Sequence, residues 1–115
     1  MKLVVGGFAA GKKQAVQKLW GYSENQMSDR LEADTPVFYD LQETCRDFEA
    51  SEEALLDALM KKEVVICNEV GCGVVPMAAE DRLWREKVGR LCVKLASSAE
   101  EVCRVCCGVM TKIKG

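Results

Sequence analysis

Short runs of β-branched and apolar residues alternate along this chain with stretches whose apolar residues recur at three- and four-residue steps. Such alternation commits a chain to an α/β architecture, because parallel strands need crossover helices and each helix must bury one face on the sheet. Strands are expected over Lys2–Val5, Pro36–Leu41, Glu63–Cys67 and Val102–Cys107, giving a mostly parallel sheet of about four or five strands. Three helices are expected between them. The first starts near Gly11 and turns Ala15, Val16, Leu19 and Trp20 inward. The second is capped by Ser51, followed by Glu52 and Glu53, and buries Leu55, Leu56, Leu59 and Met60. The third runs from Asp81 to Ala99 with Leu83, Trp84, Val88, Leu91, Cys92, Leu95 and Ala96 on one stripe. The polar stretch Gly21 to Asp34 has no sustained period and reads as flexible. With 115 residues, no internal repeat and no linker, residues 1–115 are expected to form one domain.

Charge and cysteine usage remove whole classes of function. Sixteen Lys and Arg against 18 Asp and Glu leave a net charge of −2, without the basic footprint of a dedicated nucleic-acid binder. The longest basic runs are the pairs Lys12-Lys13 and Lys61-Lys62, the second read as solvated helix positions. No apolar stretch reaches the ~18 residues that would span a bilayer, and Leu3 to Ala10 is broken by glycines and lacks a cleavage site, so no membrane partner and a cytoplasmic location are expected. Seven cysteines, an odd number with several inside apolar runs, read as reduced thiols that behave as small hydrophobes. Cys103, Cys106 and Cys107 form a C-x-x-C-C cluster without a second ligand pair, and the chain has no histidine to complete a zinc site. Every mechanism that uses imidazole as base, nucleophile or ligand is excluded as well.

The chemistry-bearing feature is the turn after the first strand, Gly6-Gly7-Phe8-Ala9-Ala10-Gly11-Lys12-Lys13. It satisfies the phosphate-loop pattern G-x-x-x-x-G-K, in which glycines let backbone N–H groups face an anion and the lysine reaches the β- and γ-phosphates. The pattern places a hydroxyl for Mg²⁺ at the next position, and Lys13 offers none. Asp40, at the end of Val37-Phe38-Tyr39, is an acid suited to hold magnesium through water. Its simpler role is a helix or loop cap. Glu69 follows the third strand. Open α/β sheets bind ligands at carboxyl strand ends, so Lys12, Asp40 and Glu69 are expected to converge.

The run Val64-Val65-Ile66-Cys67-Asn68-Glu69-Val70-Gly71-Cys72-Gly73-Val74-Val75-Pro76, followed by Arg82, Trp84-Arg85, Gly89-Arg90-Leu91 and Lys94-Leu95-Ala96, resembles the carboxyl half of the bacterial adenosylcobinamide kinase/adenosylcobinamide-phosphate guanylyltransferase family of cobalamin biosynthesis. The amino-terminal glycine turn is similar to that family's phosphate loop. The resemblance implies a P-loop NTPase-like three-layer α/β/α fold, with GTP or ATP bound at residues 6–13, Lys12, Asp40 and Glu69 as the working side chains, and Asp40 on the Mg²⁺ side. It also implies adenosylcobinamide as a substrate and a homo-oligomer assembled through the sheet. Family members carry GMP on a histidine after the first helix. That residue type is missing here and the chain is shorter, so the expectation is a reduced member capable of phosphoryl rather than guanylyl transfer. The alternative is a non-catalytic module on the same scaffold.

Overall fold

The computed structural model describes residues 1–7, 10–47, 51–69 and 79–115. Six strands, β1 (Lys2–Gly6), β2 (Met27–Ser28), β3 (Val37–Phe38), β4 (Val64–Asn68), β5 (Glu101–Cys106) and β6 (Val109–Lys114), form one sheet in the order β2-β3-β4-β1-β5-β6. All neighbours pair in parallel except β6, which returns antiparallel to β5. The helices are α1 (Lys12–Trp20), α2 (Leu41–Asp47), α3 (Glu52–Met60) and α4 (Ala79–Ser98), with one turn of 3₁₀-helix at Glu24–Gln26.

Strand alternation builds two cores and hence three layers. Val64 and Ile66 of β4, Val4 of β1 and Val105 of β5 face α1, whose Ala15 and Val16 are buried against them. Val65 and Cys67 of β4, Leu3 of β1 and Val102 of β5 face the other way, onto Leu41, Leu55, Leu59, Val88, Leu91 and Leu95 of the remaining helices. A run such as Val64 to Cys67, buried on both faces, is what a central parallel strand requires. The expected α/β/α fold with a mostly parallel sheet is therefore present.

Several boundaries differ from the sequence reading. The expected strand at Pro36–Leu41 stops at Phe38, because Asp40 adopts a left-handed backbone (φ 57) and Leu41 opens a helix. The stretch from Gly21 to Asp34 holds the 3₁₀ turn and β2, which pairs Met27 with Val37. Leu19 and Leu83, both expected inside, are 58% and 65% exposed, since each lies on the outer side of a helix whose other positions meet the sheet. Lys62 is no solvated surface residue. Its Nζ donates to the carbonyls of Ala33 and Thr35 at 2.6 and 2.9 Å, tying down the approach to β3.

The Ser51 cap is present, with Oγ accepting from Ala54 N at 3.1 Å. Ser51→Ala is expected to cost about 1 kcal/mol, read as a lower urea midpoint at unchanged slope. The Tyr22 hydroxyl donates to Glu63 Oε1 at 2.7 Å. Burial and the Glu63 carboxylate raise its pKa to about 12. Because the folded value lies above the unfolded one, this contribution to stability is complete below pH ~10 and disappears as pH rises from there through about 12. The phenolate absorbance lost in Tyr22→Phe should therefore titrate near 12 in the wild type, and Glu63→Gln should bring it down.

Candidate functional site

β1 is flanked by β4 on one side and β5 on the other, with α1 packed on one face of the sheet and α4 on the other. The sheet's strand order reverses at β1, so a crevice opens beyond its carboxyl end. Gly6 closes the strand there under tight constraint: a Cβ would lie 2.6 Å from the Val105 carbonyl oxygen. Gly7 leaves the sheet. Phe8 and Ala9 lie outside the described residues. The turn closes at Gly11, whose left-handed backbone (φ 84) and 3.3 Å approach of a would-be Cβ to Gly108 Cα both demand glycine. Ala10 accepts a hydrogen bond from Gly108 N at 2.8 Å, and Ala15 N donates to Gly11 O at 2.9 Å to begin α1.

Lys12 is buried at the amino end of α1, and its Nζ donates to Gly7 O at 2.7 Å across the turn. Burial lowers its pKa, while Cys67, Asp40 and Glu69 draw it back up. A cation held in this way, beside the N–H groups of a helix start, forms an anion-binding corner.

A cleft of 170 Å³ adjoins this corner, lined among others by Gly11, Lys12, Lys13, Tyr39, Asp40 and Asn68. Lys12, Lys13 and Asp40 thus meet at one place. Lys13 is held by Glu24 at 3.4 Å and lies 4.0 Å above the Tyr39 ring, so its charge is engaged by two neighbours at the cleft wall. The carbonyl of Asp40 accepts from Glu43 N and Thr44 N and starts α2, leaving the carboxylate outside the cap. Glu69 joins only in part. Its backbone N donates to Gly6 O at 2.8 Å and fixes β4 to the turn, while its carboxylate pairs with Arg104 at 3.1 Å and borders a separate apolar cleft.

The organising side chain that sequence reading missed is Gln42. It is buried, donates from Nε2 to Asp40 Oδ1 at 3.3 Å, and accepts from Asn68 N at Oε1 at 3.0 Å. Its backbone carbonyl accepts from Trp84 Nε1 at 2.6 Å, so α2, α4 and β4 meet on one residue. The available signal was a glutamine directly after Leu41 in a helix that must bury its face.

Cys67 and Cys103 are buried in strands as expected, Cys45 is buried on α2 and Cys92 half-buried on α4, while Cys106 and Cys107 are exposed and Cys72 lies outside the described residues. Among the described residues no group of three or more Cys, Asp or Glu is placed to hold a metal ion. None of the described helices is long and apolar enough to cross a membrane.

The family model for cobinamide kinase / cobinamide phosphate guanyltransferase matches residues 24–113. The chain belongs to this family. The matched segment contains Asp40, Gln42, Asn68 and Glu69, whereas the glycine turn lies before it. The cobinamide kinase / guanyltransferase relatives include the bifunctional adenosylcobalamin biosynthesis protein CobU of Escherichia coli (strain K12), 35% identical over 82 residues, a match covering 69% of this chain and 45% of that protein. The protein of the same name from Salmonella typhimurium (strain LT2) is 36% identical over 78 residues, covering 59% and 43%. The chain thus spans less than half the length of these curated relatives. Val70 to Pro76, the part of the resembling run that follows Glu69, lies outside the described residues.

Proposed function

We propose that this chain, acting as one domain, binds a nucleoside triphosphate, GTP or ATP, at residues 6–13 and transfers its terminal phosphoryl group to a hydroxyl of a corrinoid such as adenosylcobinamide in cobalamin biosynthesis. The observation that carries the reading is the buried Lys12 ammonium at the start of α1, with Asp40 across the same cleft. Lys12 holds the transferring phosphoryl oxygens and neutralises charge that develops on them. Asp40, oriented by Gln42, is suited to the Mg²⁺ side, because magnesium needs only one or two carboxylates and takes its other positions from phosphate and water. Bound there, the metal would supply charge neutralisation at the phosphates. Glu69 keeps the end of β4 against the turn, and its carboxylate belongs to the acceptor side. Guanylyl transfer through a histidine has no residue to use.

Titration calorimetry with GTP and with ATP, each with and without Mg²⁺, tests the binding claim, and corrinoid phosphorylation followed by mass tests the transfer. Absence of heat with both nucleotides would overturn the reading. The non-catalytic alternative rests on Lys13, engaged with Glu24 and Tyr39 where the pattern has a metal-binding hydroxyl. Lys13→Ser discriminates: phosphorylation that rises at least tenfold supports an otherwise intact kinase site, whereas nucleotide binding with no transfer in either protein supports the non-catalytic module. Assembly through the sheet is part of the same reading. β6 is an open edge with Val109 and Ile113 66% and 61% exposed, and sedimentation of the purified chain tests it.

A further inference from the structure

Where β4 meets α4, the sulfurs of Cys67 and Cys92 lie 3.7 Å apart. Cys67 is fully buried in the sheet, whereas Cys92 is half-buried and lines an apolar cleft of 340 Å³ between α4 and the strands. Gly89, one turn before Cys92, contributes no side chain, no atom of the other described residues, its own helical backbone aside, lies within 4 Å of where its Cβ would stand, and Val93 at the rim is 71% exposed. A small oxidant therefore reaches Cys92 through this cleft, whereas Cys67 has no exposed surface and does not line it.

We propose that Cys92 and Cys67 form a peroxide-sensitive thiol pair, Cys92 as the attacking sulfur and Cys67 as the resolving one, which closes to a reversible disulfide clipping α4 to β4. The arrangement has the two parts such a pair needs: an accessible sulfur and a partner already in contact behind it. The contact between the two sulfurs raises the pKa of Cys67, burial adding to the rise, and lowers that of Cys92; the Cys67 thiol also donates to Asn68 O at 3.4 Å, which holds its proton. In the first step the Cys92 thiolate attacks one oxygen of a hydroperoxide. An S–O bond forms, the O–O bond breaks, and the second oxygen leaves as an alcohol or water. Cys67 sulfur then attacks Cys92 sulfur; the S–S bond forms, the S–O bond breaks, and water leaves with the Cys67 proton. The two thiols are oxidised by two electrons in total and the peroxide is reduced by two. Closing from 3.7 Å to a bond of about 2.05 Å needs the sulfurs to approach by about 1.7 Å. A dithiol reverses the product by exchange.

The bond would fix the carboxyl end of β4 immediately before Asn68, whose N–H is held by Gln42. The inference does not depend on the nucleotide reading, and its test measures no activity. Cys106→Ser/Cys107→Ser removes the two thiols exposed among the described residues. That protein is treated with a small excess of hydrogen peroxide, blocked, and digested with trypsin without reduction. The expected product links peptide 91–94 to peptide 63–82, with fragmentation placing the bond on Cys67 rather than Cys72. Dithiothreitol should release it, and the oxidised protein should melt several degrees higher than the reduced one. Cys92→Ala and Cys67→Ala should each lose the link and the melting shift. Recovery of 91–94 unlinked, or linked through Cys45 or Cys72, overturns the proposal, and the same mapping on the wild-type chain, which keeps Cys67 and Cys92, decides even if a variant fails to fold.

Discussion

Lys12→Ala is expected to remove nearly all nucleotide-dependent stabilisation while leaving the ligand-free protein close to its starting stability. At a nucleotide concentration of 100 times Kd the wild type gains about 2.7 kcal/mol, which for a chain of this size corresponds to a melting shift of about 10 °C. Loss of an ammonium that makes charge-assisted bonds to phosphate costs about 2.8 kcal/mol, a hundredfold in Kd. At the same ligand concentration the variant then sits near its own Kd and gains only about 0.4 kcal/mol. The unliganded fold is little affected, because the variant loses the bond to Gly7 O but is relieved of a desolvated charge. A thermal-shift titration of both proteins with GTP and ATP makes the comparison. Equal shifts would show that nucleotide, if bound, lies away from the turn.

Gly6→Ala should produce the largest loss of stability of any single methyl added to the glycine turn. The new carbon would meet a backbone carbonyl oxygen, Val105 O, at 2.6 Å, and the Cγ and Cδ of Lys12 at 3.2 Å. Flexible side chains yield to such contacts, but here the obstacle is backbone. Gly6 is paired with Asn68 on one side and Val105 on the other, so neither strand can withdraw without breaking the centre of the sheet. Overpacking of this kind is expected to cost about 3 kcal/mol. Gly7→Ala provides the control, since none of the described residues beyond its chain neighbours comes within 4 Å of its added carbon, and it should stay within about 0.5 kcal/mol. Urea unfolding of the two variants reads the contrast, and similar midpoints would show that the β1–β5 pairing is looser than its register implies.

The central layers were legible in the sequence because burial on two faces writes a strong pattern: Val64 to Cys67 and the Val88, Leu91, Leu95 series admit one reading each. Segments whose structure comes from partners rather than burial were not. β6 is exposed along nearly its whole length, and its residues give no alternation to read. It exists because Cys107 and Gly108, with φ of 51 and 77, make the two-residue hairpin turn that folds it onto β5. α2 was hidden for the opposite reason. Pro36 to Leu41 is apolar enough for one strand, and only the left-handed Asp40 divides it. In the candidate site, the glycine turn and Asp40 announced themselves by residue type and place. Gln42 did not, because its value lies in bridging Asp40 to Asn68, two residues far apart in the chain.

The bond from Gly108 N to Ala10 O joins the hairpin near the carboxyl terminus to the glycine turn near the amino terminus. Shortening the chain by its last dozen residues would thus do more than trim an edge: it would strip the buttress from a bend almost a hundred positions earlier. A truncation at that end should be judged by what happens at the opposite one.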